Sequence, residues 1–350
     1  MKKLLFILVS LLIGIGFTLI SLELFLRINP KFGYNYSSCN FKNKDMTRFK
    51  DHNFGYLRPS ALLGYEMIPN CHSVYLPIPT NSYGLIGKEY KLKKEKNTFR
   101  ILLLGDSIAW QDFSRQSLEG FLNSGPLLHS KYKFEIWNAG VPSYDVRRYY
   151  LYLKYRGLSF KPDMVVIFFF MNDLHPDLNI YYKTKDEVIS YDFPLSEISQ
   201  RRIINPFLMK HSFLYRFIVL SLNARLLNKK KEQQGVNPQE ECGRYYLRVI
   251  KEVCEKNKIP LFIVFFPYLK PLDEYRGYQI EEYKSICKVI KESEVNCLNL
   301  YEALSSRDLR SLRDRKEDDV HPSREGHRLI ATLIYNYLLD NFFNCEKTTH

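Results

Sequence analysis

The sequence predicts an α/β protein: a doubly wound, flavodoxin-like parallel sheet with helices on both faces, preceded by one N-terminal transmembrane helix. Three observations predict it. Short apolar runs recur from Phe99 onward, each ended by glycine or a polar turn. Stretches of helical periodicity separate them. An uncharged run from Leu4 to Leu22 opens the chain behind Met1, Lys2 and Lys3. Continuous apolar runs, without alternation, mark strands buried on both faces, which is how parallel sheets covered by helices read.

The opening run comes first. At ~1.5 Å per residue it nearly spans a hydrocarbon core of ~30 Å. A cleaved leader is the alternative, but its apolar region is usually ~7–15 residues long and ends in small residues. Phe17-Thr18-Leu19-Ile20-Ser21-Leu22 offers no such cleavage site. Residues 1–27 are therefore expected to be a retained single-pass anchor. Lys2 and Lys3 on one side and Arg27 and Lys31 on the other nearly balance the charge rule for orientation. A short charged head normally stays cytoplasmic, which places the rest of the chain outside.

Residues 28–98 read as a linker with a small irregular appendage, rich in Asn, Tyr, Gly and Pro. Lys88, Lys91, Lys93, Lys94 and Lys96 close it as a basic, solvated hinge. Ile101–Leu104 is the first strand, ending at Gly105, and helical spacing follows at Leu118, Phe121 and Leu122. Phe134–Trp137 is the second. Asp145 can cap a helix carrying Val146, Tyr149 and Leu153. Met164–Phe170 is the third strand and Leu261–Phe266 the fourth, after a helix around 245–256. Leu298–Leu300 is a fifth candidate, and an amphipathic helix runs from about Ser323 to Phe343. The main domain is expected over 99–345.

Residues 178–240 break the alternation and form an insertion or cap. Within them, the apolar segment 206–227 is followed by Lys229-Lys230-Lys231. Three readings stay open for that segment: a cap over the site, an interfacial helix with a basic edge, or an ordinary packed helix.

Composition narrows function only a little. Hydrophobic residues at 45% and aromatics at 15% allow a full core. Fifty-one basic against 38 acidic residues give a net charge of +13, which nucleic acid, an anionic membrane, an acidic glycan or simply a solvated basic surface would each explain, so charge alone decides nothing. No nucleic-acid motif accompanies it, and no nucleic-acid partner is expected. The 7 cysteines show no CxxC or zinc-site spacing, so no metal site is expected. Cys254 and Cys287 sit in apolar helical patterns as small hydrophobes. If the segment is exported, Cys39 and Cys71 are the candidate disulfide. No phosphate-cradling glycine loop is present.

Function is carried by four short stretches. Strand one runs into Gly105-Asp106-Ser107, strand two into Asn138-Ala139-Gly140 and strand three into Asn172-Asp173. Ligand sites of open α/β sheets lie at the carboxyl ends of their strands, so one edge collects all three. Asp318-Asp319-Val320-His321 precedes the last helix. A serine hydroxyl becomes a nucleophile when a base takes its proton; His321 suits that role. Asp318, three residues earlier, can fix the imidazole tautomer, with Asp319 as the alternative. An acyl-transfer oxyanion needs donors, and the Ser107 and Gly140 N–H groups and the Asn172 amide can supply them. Gly140, lacking a side chain, admits substrate close to the backbone. Trp110 and His175 are candidate substrate contacts, though the structural reading is the stronger one for His175. His327, on the last helix, reads as a surface or packing residue.

The order and content of these stretches resemble the four sequence blocks of the SGNH/GDSL hydrolase superfamily. Gly105-Asp106-Ser107 resembles the first block, NAGVPSYD with Gly140 the second, MNDL with Asn172 the third, and DDVHPS with Asp318 and His321 the last. The likeness spans about 99–345. TNSYGLIGKEY at 80–90 is similar to a segment preceding this domain in membrane-anchored bacterial members. The resemblance implies a serine esterase or acyltransferase without cofactor. It further implies O-acyl, chiefly O-acetyl, esters of cell-envelope polysaccharide as substrate. A lipid-directed esterase and a non-enzymatic binding or assembly member are the alternatives. Two positions depart from the pattern: Ile108-Ala109-Trp110 follows the serine, and Phe170 stands where the third block often begins with glycine. Both add bulk near the site.

Overall fold

The computed structural model describes residues 2–28, 36–40, 56–60, 62–74, 76–124, 132–175, 180–183, 187–191, 208, 212–215, 217–218 and 238–343. They fall into two compact units. One is drawn from 1–53, 59–64 and 178–241, the other from 54–58, 65–177 and 242–350.

The second unit is built on a five-stranded sheet. Its strands are β1 (Thr98–Gly105), β2 (Lys133–Asn138), β3 (Met164–Phe170), β4 (Leu261–Phe266) and β5 (Asn296–Asn299). Their spatial order is β5-β4-β3-β1-β2, with every pair parallel. This is the doubly wound order expected from the sequence. The winding reverses between β1 and β3, the point where such sheets open a crevice at their carboxyl edge. Every residue of β3 and β4 is buried, which accounts for their unbroken apolar runs.

Helices flank the sheet: α1 (Ser107–Trp110), α2 (Phe113–Ser124), α3 (Val146–Tyr155), α4 (Pro238–Lys256), α5 (Gly277–Ser293), α6 (Leu300–Ala303) and α7 (Arg324–Leu338). Their starts obey local chemistry. Asp145 caps α3 by accepting from Arg148 N–H, as its position suggested. Ser323 caps α7 through Gly326 N–H. Pro238 opens α4, with Glu240 and Glu241 in the first turn where the helix dipole favours acids. Helix α7 packs on α2. Gly243 of α4 lies against the Leu174 carbonyl, and a Cβ there would overlap that oxygen. Gly243→Ala is therefore expected to destabilise the protein by about 1–3 kcal/mol, read as a lowered thermal midpoint.

Residues 80–94 lie along this unit. The Asn81 side chain accepts from Tyr83 and Leu85 N–H, both at 3.0 Å, and holds a turn with Gly84 at φ +74°. Ile86 N–H donates to Asn138 O at 3.0 Å, extending the sheet beyond β2. Tyr90 stacks on Trp137 with centroids 5.7 Å apart, and its hydroxyl donates to Glu119. Two of the lysines in this stretch, Lys88 and Lys94, pair with Glu119 and Asp163. Arg100 is fully buried across β1. It lies over the Trp137 ring at 4.3 Å, pairs with Glu135 at 3.0 Å, and donates to the Lys91, Leu92 and Phe160 carbonyls. A buried guanidinium is tolerated because its donors are used.

The first unit holds the N-terminal helix, Lys2–Ile28, whose segment Leu5–Ile28 has a mean hydropathy of 2.6 and is long and apolar enough to cross a membrane. It also holds a three-stranded antiparallel sheet in which Glu187–Tyr191 lies between Tyr36–Asn40 and Ile180–Lys183. At the far end of the helix, the Glu23 carboxylate accepts from Ser212 Oγ, Phe213 N–H and Leu214 N–H at 2.7–3.0 Å. Arg27 lies over the Phe213 ring at 5.2 Å. Most of the 206–227 segment, the Lys229–Lys231 run and the Cys39 side chain lie outside the described residues.

Candidate active site

The carboxyl edge of the sheet collects the expected residues. Gly105 ends β1, and Asp106 turns the chain into α1 by accepting from Ile108 N–H at 2.9 Å. This cap leaves Ser107 on the first turn, partly exposed. A Cβ on Gly105 would come within 2.6 Å of Ala109 Cβ, so strand and helix approach this closely only with glycine there.

His321 arrives from the loop before α7. Its Nε2 lies 2.8 Å from Ser107 Oγ and its Nδ1 lies 2.9 Å from Asp318 Oδ2. An ionised carboxylate only accepts, so Nδ1 carries the proton and Nε2 presents its lone pair to the serine hydroxyl. The other Asp318 oxygen accepts from Val320 and His321 N–H, each at 3.0 Å. Burial pushes the Asp318 pKa up, but these bonds from His321 and Val320 outweigh it and hold the acid below its usual range. Asp319 turns away and pairs with Lys270 at 2.7 Å. The arrangement can pass the Ser107 proton to a neutral imidazole and stabilise the resulting cation with Asp318.

The expected oxyanion donors are placed unequally. The Asn172 side chain, on the turn after β3, is exposed and makes no hydrogen bond among the described residues. Gly140 N–H, by contrast, donates to Asn138 Oδ1 at 2.8 Å, so in this arrangement it is already engaged. Asn138 also donates to the Ala109 carbonyl and Asp112, which fastens the end of β2 beneath α1. A Cβ on Gly140 would come within 2.6 Å of Trp110 N and 2.7 Å of Ala109. Gly140→Ala should therefore cost about 1–3 kcal/mol, read as a lowered thermal midpoint, because relief requires α1 to move.

Of the two candidate contacts, Trp110 is partly exposed and stacks on the buried Tyr56 at 5.9 Å. The His175 ring lies 3.2 Å from Glu282 of α5. Among the described residues no cluster of three or more His, Cys, Asp or Glu is placed to hold a metal ion.

Three further groups lie behind the site: Asp173, Asp106 and His327. Asp173 is fully buried; one oxygen accepts from Phe170 N–H and Tyr149 Oη, and the other has no partner among the described residues. Burial, then the nearby Asp106, pushes its pKa well above the carboxylate range. Burial likewise pushes Asp106 up to about 6. His327, expected as a surface or packing residue, is a packing residue. It is fully buried between Gln111 and Ser114, and burial pushes its pKa down from 6.5 to about 3. Above pH 6.5 the ring is neutral in both folded and unfolded chains. Between 6.5 and 3 only the unfolded chain takes the proton, so stability falls as pH falls. Between pH 7 and 5, wild type is expected to lose about 2 kcal/mol more than His327→Gln, measured by denaturant unfolding at each pH.

A family model for GDSL-like lipases and acylhydrolases matches residues 103–329, a span that holds all four stretches. The chain belongs to this GDSL-like lipase/acylhydrolase family. It is accordingly a hydrolase of ester bonds. Solved structures similar to it include the acetyl xylan esterase AlAXEase, at 15% identity and TM-score 0.41 over 69% of this chain and 100% of that one. They include a lipase/acylhydrolase from Enterococcus faecalis, at 17% identity and TM-score 0.42 over 69% and 95%. The acetylxylan esterase Axe2 from Geobacillus stearothermophilus matches at 14% identity and TM-score 0.41 over 70% and 95%. No curated protein sequence matches the chain.

Proposed function

We propose that the protein is a membrane-anchored serine esterase or acyltransferase acting on O-acyl, chiefly O-acetyl, esters of a cell-envelope polysaccharide. The observation that carries the catalytic part is the continuous hydrogen-bond chain from Ser107 Oγ through His321 to Asp318, at 2.8 and 2.9 Å. Ser107 Oγ attacks the ester carbonyl carbon and gives its proton to His321 Nε2. The oxyanion is held by the Ser107 N–H, the Asn172 amide and the Gly140 N–H once substrate displaces its bond to Asn138. His321 then protonates the departing alkoxide, leaving the acyl group on Ser107. Water, or a glycan hydroxyl in the transferase case, attacks next and passes its proton to His321, which returns it to Ser107.

The substrate class rests on other features. The net charge of +13 favours acidic glycans, and Trp110 adds bulk beside Ser107 that suits a short acyl group. Retention of the anchor is supported by Glu23. Cleavage behind the apolar run would remove the acceptor of three donors from residues 212–214. The chain is organised as anchor 1–27, connecting stretch 28–98 and hydrolase domain 99–345 with the 178–240 insertion, the hydrolase lying outside the cytoplasm.

The test uses the full chain in detergent with a fluorophosphonate probe, aryl acetate and long-chain aryl esters. Labelling at Ser107 with preference for acetate is the expected result. Labelling elsewhere removes the nucleophile, and preference for long chains shifts the substrate to lipid. The protein is also expected to resist carbonate extraction from membranes; a soluble mature form beginning near residues 20–30 would identify a cleaved leader instead.

A further inference from the structure

Ser107 and His321 lie 214 positions apart, on two elements that share no strand. Ser107 opens α1, a single helical turn, and His321 sits in the loop leading into α7. The position of one against the other depends on what joins α1 to α7. His327 stands at that junction. It is the fourth residue of α7, fully buried, and its N–H donates back to the Ser323 carbonyl, so it moves with the start of the helix. Its Nε2 lies 2.7 Å from Gln111 Oε1, and its Nδ1 lies 2.7 Å from Ser114 Oγ. Gln111 is the residue that ends α1, and its own N–H donates to the Ser107 carbonyl at 3.1 Å. One ring therefore connects the turn that carries Ser107 to the helix that follows His321.

The bonding pattern defines the ring's state. The Gln111 amide oxygen only accepts, so Nε2 carries the proton and Nδ1 accepts from the Ser114 hydroxyl. The ring is packed at 5.7 Å against Phe113, the first residue of α2. A fully buried imidazole with both nitrogens satisfied is a rigid spacer, since any rotation leaves a polar atom unpaired.

We propose that His327 is a positioning residue that sets the distance between Ser107 and His321 through its bond to Gln111. The proposal rests on the reading of Ser107 as nucleophile and His321 as base. It concerns the bond to Gln111 rather than ring bulk. Loss of the bond frees the α1 turn to move relative to the loop of His321, and displacements near 1 Å in such a pair cost on the order of a hundredfold in rate.

The experiment measures the second-order rate of fluorophosphonate labelling at Ser107, together with kcat and KM on aryl acetate, for the full chain in detergent. His327→Leu and Gln111→Leu are each expected to lower labelling and kcat tenfold to about a hundredfold with KM little changed. His327→Gln keeps a donor where Nε2 stood and is expected to recover to within a few-fold of wild type. Gln111 is partly exposed, so Gln111→Leu serves if His327→Leu does not fold. Unaltered labelling and kcat in folded His327→Leu or Gln111→Leu overturns the proposal. His327→Gln as impaired as His327→Leu also overturns it, since ring bulk would then carry the effect. Failure of wild type to label at Ser107 overturns the nucleophile reading instead, a result distinguishable because it needs no variant.

Discussion

Ser107→Ala is expected to abolish ester turnover, by on the order of a thousandfold or more, while leaving the chain folded. Removing Oγ removes the only atom that His321 Nε2 faces in the covalent route. The fold has little stake in that atom. The α1 turn is held by the Asp106 cap, by Asn138 bonded to the Ala109 carbonyl, and by Gln111 bonded to His327. Alanine also suits a first helical turn. Turnover and thermal unfolding measured on one preparation check both halves. A folded Ser107→Ala protein with near-normal activity would refute the serine mechanism.

Asp318→Asn is expected to lower kcat by about a hundredfold to ten-thousandfold, with a smaller effect on stability. The amide retains an oxygen for the Val320 and His321 N–H groups. With that oxygen engaged, its NH2 donor faces Nδ1, which favours the wrong tautomer and leaves the imidazolium formed in turnover without its partner. Asp319→Asn is expected to leave kcat within a few-fold of wild type. Its carboxylate points to Lys270, which it meets on the loop after β4. Both residues sit in one short loop, so the pair of variants separates the chemical role from general loop damage. If Asp319→Asn is the more harmful while both proteins stay folded, the orienting acid has been misassigned.

Much of the catalytic unit was legible in the sequence because its signals are local. Met164 to Phe170 and Leu261 to Phe266 read as strands buried on both faces, followed closely by Asn172-Asp173 and by Pro267. Gly105-Asp106-Ser107 sits directly after such a run, so its place at the carboxyl edge followed from topology. Asp318 and His321 are three apart, and one loop decides their contact. What escaped notice depends on residues far apart in sequence. The bond from Gln111 to His327 spans 216 positions, and nothing near His327 distinguishes it from a helix residue facing solvent. The Asn138 side chain engages Gly140 N–H, a choice made by rotamer and packing rather than by motif. Arg100 is buried only because Trp137, Glu135 and three carbonyls converge on it from separate elements.

The pairing of Tyr36–Asn40 with Glu187–Tyr191 imposes an order on synthesis. A chain emerging from its N-terminus must make β1, β2 and β3 before the partner of its first short strand exists. Until then that strand keeps an open edge, and Glu23 has none of the donors that residues 212–214 later supply. The same arrangement bears on how the protein is shortened. A fragment begun at residue 28 keeps the strand but strips Ser212, Phe213 and Leu214 of their carboxylate. One begun at residue 54 also leaves Glu187–Tyr191 with an unpaired edge, a site for association between copies. Removing residues 1–53 and 178–241 together takes out both partners of each of these contacts at once, along with the first turn of α4.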